Sequence, residues 1–502
     1  MKKQFRFTYI ICIVFVLIFI FNLCLGMNKL DISSTNSFKE LEENISNKTN
    51  SLMNEYNIPG AAIAFIKDGK IDYIKGFGLS DKEKGTKVDR NTVFQVASNS
   101  KTVSAWSVLK LVSDGKLDLD ANVDKYLTRW KIPKSKYGDV SITLRELLSH
   151  TAGLSQGAYI GYSIDEKLPT LEESLSGATA GTSGLHLIMK PGTKYKYSGG
   201  GYTLAQLIVE ETTGLPYAKF ARENVLRPLS MNDSDFEWNP QMKTKIAKAY
   251  DSFGRSLPQY VFTEECAAGL YTTAADFAKF VAANINIMKG SSDYILNNDA
   301  LSEMLTPIKN DYGLGYIIKK LPDNTKLVYH GGTNRGWRSQ YAFLPDKGDG
   351  IVILTNSDNG AQLHMDLLCM WTKYETGYYP LFYIKNITLR ALVKSIACTL
   401  FLLLLMLIFK FKNKTGPKPS IKPSTILPFE IIKCVVFELF VILWWLVFYT
   451  GVFSGGWELN SLMPAGFYWL TICVLCYGLY FIAKCFVEKI VKQKITKFTQ
   501  NV

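Results

Sequence analysis

Apolar runs at both ends of this 502-residue chain divide it before any finer pattern is read. Residues 1–27 begin MKKQFRF and continue TYIICIVFVLIFIFNLCLG, a basic start followed by an apolar run. This is the layout of a secretory signal, and the run is long enough to serve as an uncleaved N-terminal anchor. Three further apolar segments lie at 391–411, 431–453 and 465–485. Each is about the 20 residues that a helix needs to span a bilayer, and the three in a row have Trp and Tyr near their ends.

Charge supplies a direction. The formal net charge is +13, yet residues 31–380 hold 39 Lys+Arg against 40 Asp+Glu. The excess therefore flanks the apolar ends, which argues for membrane topology and against a nucleic-acid groove. The link KFKNKTGPKPSIKPST carries five lysines and no acid, and SGGWELNSLMPAG carries one acid and no Lys or Arg. The positive-inside rule puts the first link and the basic tail 486–502 in the cytoplasm, and residues 28–385 outside. The expected partner is the bilayer itself, with no nucleic acid. Glu438, the one acid inside an expected span, is a candidate contact for a protein partner. Of nine cysteines only Cys266 and Cys369 fall in the external stretch, so no disulfide framework is indicated. The four histidines are scattered without metal-ligand spacing, so no metal is expected.

Within residues 28–385 the pattern is strands at both ends with helical material between. AAIAFIKDGKIDYIKGFGLSD alternates around Asp68-Gly69, which predicts a hairpin of 61–67 with 71–77. GLGYII, KLVYHGG, RSQYAFLPD and GIVILTN read as later strands, with a turn at 347–350. Apolar spacing from Val103 to Val112 predicts a helix from Ser98 or Asn99 to about Ser113, closed by Gly115. The expected class is α/β (α+β): an antiparallel β-sheet flanked by helices, with an α-rich insertion, followed by three transmembrane helices.

The candidate chemistry starts at Ser98-x-x-Lys101. Ser107/Lys110 and Ser113/Lys116 share the spacing, but only Ser98 stands at the predicted helix start, where free N–H groups favour a developing anion. A helix N-cap is the alternative role for that serine. A serine nucleophile needs a base, which a lysine with a lowered pKa supplies. Tyr195, Tyr197 and Gly199–Gly201 in KYKYSGGGY form a second candidate cluster, and His330-Gly331-Gly332 ends a strand that could line a cleft.

Six stretches in order, VFQVASNSKT, ITLRELLSHTAGL, PGTKYKYSGGGYTLAQLIVEETTG, VLRPLSMNDSDF, AAGLYTTAADFAKF and YHGGTNRGWRSQYAFLPDKGDGIVILTN, resemble the class C β-lactamase family of serine hydrolases. This family includes DD-peptidases, D-amino-acid peptidases and esterases. The resemblance covers about residues 38–360. It implies Ser98 as acylated nucleophile, with Lys101 and Tyr197 moving protons. It implies an oxyanion hole from the N–H groups of Ser98 and Thr333, and no cofactor. His150 is implied to be structural. Two departures bear on substrate. Gly199 stands where the family's β-lactamases have an asparagine that contacts the substrate amide. His330-Gly331-Gly332 replaces Lys-Thr-Gly, whose lysine helps hold a substrate carboxylate; Arg335 or Arg338 could substitute. The expectation is a membrane-anchored, extracytoplasmic serine hydrolase that cleaves an amide or ester, with a D-amino-acid-containing peptide or a β-lactam-like molecule as substrate. The alternatives are a prodrug-activating N-acyl-D-amino-acid peptidase, which the domain-plus-spans layout also resembles, a β-lactamase, and a non-catalytic penicillin-binding sensor.

Overall fold

A computed structural model describes residues 13–25, 35, 37–155, 157, 159–177, 184–239 and 242–412. The chain forms two compact units, one of residues 32–380 and one of residues 1–31 with 381–502.

In the first unit, helix α1 (Phe38–Tyr56) starts at Ser37, whose hydroxyl accepts from the N–H of Glu40 at 3.2 Å. It ends at Asn57, which takes the left-handed conformation. Strand β1 (Gly60–Lys67) and strand β2 (Lys70–Asp81) form the expected hairpin, with positive φ at both Asp68 and Gly69 as a tight two-residue turn requires. Strand β3 (Thr86–Lys87) is the sheet edge. The other strands come from the far end of the unit: β4 (Ile317–Lys320), β5 (Lys326–Asn334), β6 (Trp337–Leu344) and β7 (Asp349–Thr355). The seven-stranded order is β4-β5-β6-β7-β1-β2-β3, and each of its pairings is antiparallel.

Because β1 lies mid-sheet, both of its faces are covered. Phe65 meets Phe38 of α1 with ring centroids 5.8 Å apart. Ala62, Ala64 and Ile66 point the other way, into a core with Phe277, Ala278 and Val281 of helix α4 (Ala274–Met288). That alternation is the two-residue period of a strand. Between β3 and β4 the chain makes the α-rich insertion, including α2 (Ser100–Ser113) and α3 (Gly199–Thr213). Helix α5 (Gly360–Thr376) follows β7.

Three local expectations shift. The turn between β6 and β7 falls at 345–348, because Asp349 pairs with Leu344 and belongs to the strand. Its carboxylate accepts from Lys67 Nζ at 2.6 Å and from the N–H of Asp68 at 2.9 Å. The strand expected over GLGYII starts only at Ile317 and runs to Lys320, because Gly315 takes φ +85° and the N–H of Gly313 bonds back to the carbonyl of Tyr316 at 2.9 Å, a turn. The helix expected from Ser98 or Asn99 begins at Ser100, after a 3₁₀ turn at Ala97–Asn99.

In the second unit, residues 13–25 are helical, and helix α6 (Leu381–Lys412) contains the first expected span, 391–411. Among the described residues, no helix is long and apolar enough to cross a membrane. The expected spans 431–453 and 465–485, Glu438 and the tail 486–502 lie outside the described residues.

Candidate active site

The short strand Val93–Gln95 pairs with Tyr271–Thr273 and leads directly into the turn that carries Ser98. Val96 is held by the carbonyl of Leu270 at 3.1 Å. Ala97, next in line, has φ +49°, in the left-handed region that non-glycine residues rarely enter. Its carbonyl accepts from Ser100 Oγ at 2.5 Å, and Ser100 Oγ in turn accepts from the N–H of Leu270 at 2.9 Å. Asn99 donates to Ser339 Oγ at 2.9 Å, and Ser339 donates to the carbonyl of Val96 at 2.7 Å. The kink is thus fixed from both sides, by the 270 segment and by β6.

Ser98, half-buried, is not a helix cap. Its Oγ accepts from Lys101 Nζ at 3.2 Å and from Tyr197 OH at 2.8 Å. The structure therefore brings together Ser98, Lys101 and Tyr197, which are 99 residues apart at the extremes. Lys101 lies on the first turn of α2 and is 2% exposed. Its ammonium group donates to the carbonyl of Ala267 at 2.6 Å and sits over the rings of Tyr197 and Tyr202 at 5.1 and 5.6 Å. No carboxylate pairs with it among the described residues. Burial without a counter-charge pushes its pKa down to about 7. The same burial pushes the Tyr197 phenol well up, so it holds its proton at neutral pH.

Tyr197 is placed by the segment behind it. Ser198 caps α3 by accepting from the N–H of Gly201 at 3.1 Å, and donates to the carbonyl of Ser155 at 2.6 Å. His150 is buried with φ +58°; its carbonyl accepts from the N–H of Lys196 at 2.8 Å and its Nδ1 from the N–H of Ser198 at 3.2 Å. Its ring lies 4.2 Å from that of Tyr197, and burial keeps it neutral by holding its pKa well below the ordinary value. These contacts brace Tyr197 from the flank away from Ser98.

Strand β5 forms the opposite wall. A Cβ on Gly332 would come within 2.0 Å of the carbonyl oxygen of Val96, so glycine alone permits this approach. The contact carries His330, Gly331, Gly332 and Thr333 past the turn that holds Ser98. His330 is buried. Its Nε2 is 2.9 Å from Tyr312 OH, and desolvation, then the nearby Lys101, pushes its pKa down to about 3. It therefore contributes no positive charge. Arg338 does not fill that role, because it is buried at 3.0 Å from Asp358 and donates to the carbonyls of Asn334 and Trp337. Arg335 is exposed at the hairpin tip, its guanidinium carbon 4.4 Å from the ring centroid of Tyr260. Gly199 faces Tyr159, whose Cε2 would lie 3.1 Å from a Cβ there. An aromatic edge thus borders the position where the resembling β-lactamases carry a side chain.

A sequence-family model described as Beta-lactamase matches residues 45–367, the stretch that holds every group above. The chain belongs to the beta-lactamase family. Members of this family of serine hydrolases similar to it include Protein flp of Staphylococcus aureus (strain MRSA252), 28% identical over 306 residues covering 60% of each chain. Penicillin-binding protein 4* of Bacillus subtilis (strain 168) is 23% identical over 323 residues, covering 60% of this chain and 68% of that one. The chain spans 60% of the length of the S. aureus relatives it matches. Among solved structures, the octameric penicillin-binding protein homologue from Pyrococcus abyssi matches with a TM-score of 0.57 and 28% identity, covering 67% of this chain and 78% of that one. The beta-lactamase/D-alanine carboxypeptidase from Pseudomonas syringae, at 21% identity and a TM-score of 0.54 over 65% of this chain and 98% of that one, shares the fold.

Sequence reasoning missed two participants. Tyr312 joins His330 to the His150 cluster, and the carbonyl of Ala267 fixes the Lys101 ammonium, while Tyr202, the last residue of the KYKYSGGGY cluster, roofs Lys101 as part of that candidate. A main-chain carbonyl has no sequence signal of its own. Tyr312 lies outside every stretch whose spacing is recognisable.

Proposed function

We propose that the protein hydrolyses an amide or ester bond through an acyl-enzyme on Ser98. The observation that carries this reading is the position of Ser98 Oγ, within hydrogen-bond reach of both a buried lysine and a phenol. With a pKa near 7, Lys101 is largely neutral at slightly alkaline pH, and its lone pair can take the Ser98 proton as Oγ attacks the carbonyl carbon. Tyr197 keeps its proton and is the donor to the departing oxygen or nitrogen, being reprotonated through Lys101. The N–H groups of Ser98 and Thr333 receive the oxyanion. Water then repeats the attack on the acyl-enzyme and restores Ser98.

The substrate class we infer is a D-amino-acid-containing peptide, by likeness to penicillin-binding relatives. The neutral His330 and the Tyr159-bordered Gly199 weigh against an efficient β-lactamase. We place the catalytic unit outside the cell on a membrane anchor, a reading supported by the charge asymmetry of the apolar ends. A fluorophosphonate probe is expected to label the full-length protein and not Ser98→Ala; labelling of Ser98→Ala would refute the assignment. Steady turnover in a screen of D- and L-terminated peptides, esters and a chromogenic cephalosporin separates an enzyme from a sensor that is acylated once.

A further inference from the structure

Helix α6 carries a closed stripe. Tyr383, Ile387, Ala391 and Ser395 recur every fourth residue, and each is at most 3% exposed. That spacing marks one face of a helix. Leu381, Ile384, Leu389 and Leu392, off the stripe, are exposed. The helix of residues 13–25 belongs to the same compact unit and has a stripe of its own. Val14, Phe15, Ile18, Phe19, Asn22 and Leu23 are half-buried, whereas Val16, Leu17, Ile20 and Phe21 are exposed. The helix is therefore apolar all round, with Asn22 as its one strongly polar side chain, and only one face is covered. An open apolar face of this kind is a liability in water and suits contact with lipid.

One contact joins the two stripes. Asn22 Nδ2 donates to Ser395 Oγ at 3.1 Å, between residues 373 apart in the chain. The other Nδ2 hydrogen goes to the carbonyl of Ile18, one turn back in the same helix, at 3.0 Å. Ser395 gives its own hydroxyl proton to the carbonyl of Ala391 at 2.6 Å, which leaves a lone pair on Oγ for Asn22. Every proton in this set thus has an acceptor. A polar side chain on an apolar helix is costly in lipid unless a second helix supplies its partner, and such bonds hold helices together there. Asn22 lies on the covered face of its helix and Ser395 at the centre of no exposed patch but within the closed stripe of α6.

We propose that residues 13–25 are not a discarded leader but a permanent partner helix of α6, docked on its stripe through the Asn22–Ser395 bond. The inference rests on the membrane anchoring proposed above and is independent of the Ser98 reading. Residues 9–25 are apolar except for Asn22, a longer run than the ~7–15 residues of a signal core. Cutting after Gly26, where the run ends, would remove Asn22 with its whole helix and deprive Ser395 of its donor. Retention instead attaches the unit of residues 32–380 to one helix pair through both of its chain ends.

The test uses the full-length protein expressed in cells and extracted from their membranes. The intact mass of the purified chain is expected to include residues 1–26; a mature chain that begins beyond residue 26 overturns the proposal. Pairing is read in a Cys24→Ser/Cys398→Ser background with a short bis-methanethiosulfonate cross-linker, the linked peptides being identified by mass. Asn22→Cys with Ser395→Cys is expected to link within one chain. Phe21→Cys with Ser395→Cys, which starts from the exposed face, is expected not to link. Equal linking from positions 21 and 22, or no link from position 22, overturns the docking. So does a link that forms between isotopically light and heavy chains instead of within one, because the occupant of the α6 stripe is then a second copy. An intact chain that alkaline carbonate washes from the membranes refutes the anchoring reading instead, whatever the cross-link shows.

Discussion

Labelling of Ser98 by a neutral fluorophosphonate is expected to follow the neutral fraction of Lys101. With a pKa of about 7, half of the lysine is neutral at pH 7, about one tenth at pH 6 and about one hundredth at pH 5. The labelling rate should therefore fall about tenfold per pH step below 7 and level off above 8. A lysine at the ordinary value near 10.5 would give a rate still climbing at pH 10. The same burial carries a stability cost, because the folded chain suppresses a charge that the unfolded chain carries. Between pH 7 and 10.5 the unfolded state binds the proton and the folded state does not, so stability rises with pH across that window. At or below pH 7 the cost is full, about 5 kcal/mol at most from the gap between 10.5 and about 7. Lys101→Met removes it, along with the hydrogen bonds to Ala267 and Ser98. The variant should be inactive and yet more resistant to urea at pH 7, with the advantage shrinking toward pH 10. A labelling rate that is flat from pH 5 to 7, or that climbs through pH 10, would refute a depressed Lys101 as the base. So would a Lys101→Met variant less stable than wild type at pH 7.

Three further outcomes follow from the same geometry. Tyr197→Phe loses the 2.8 Å bond to Ser98, and turnover on the best substrate of the screen should drop by about 10²–10⁴-fold with little change in melting temperature. His330→Gln should leave the pH–rate profile unchanged in shape above pH 5, because His330 is already neutral there; an inflection near 6.5 that disappears in the variant would show otherwise. Gly332→Ala forces a methyl to within 2.0 Å of the Val96 carbonyl oxygen and should cost about 1–3 kcal/mol in urea unfolding, with slower labelling of Ser98.

What the sequence disclosed, it disclosed through periodicity and order. The β1–β2 hairpin was readable because Asp68-Gly69 suits a turn with positive φ at both positions. The α-rich insertion was readable from the alternating, strand-like stretches falling only at the two ends of residues 28–385. Ser98, Lys101 and Tyr197 emerged from stretches recurring in a fixed order, and the structure brings their side chains together. The kink at Ala97 was not legible, since alanine carries no preference for left-handed φ and the conformation is imposed by Ser100, Leu270 and Ser339. Nor was the burial of His330 and Arg338, because only the pairing of β5 with β6 determines what faces inward. Residues 84–87 lie beside residues 243–248, a proximity that no local pattern encodes.

The middle of the sheet is assembled from opposite ends of the unit. Ala61 of β1 pairs with Thr355 of β7, and Ile63 with Ile353. A chain made from its N-terminus cannot close this seam until residue 355 has been synthesised. Until then β1, small and apolar from Gly60 to Ile66, can pair only with β2 and leaves its other edge open. Long-range pairing of this kind slows folding and lengthens the exposure of such edges. The strand that anchors the finished molecule is therefore its main hazard in transit, and a holding chaperone engaged before residue 355 emerges would act first on residues 60–67.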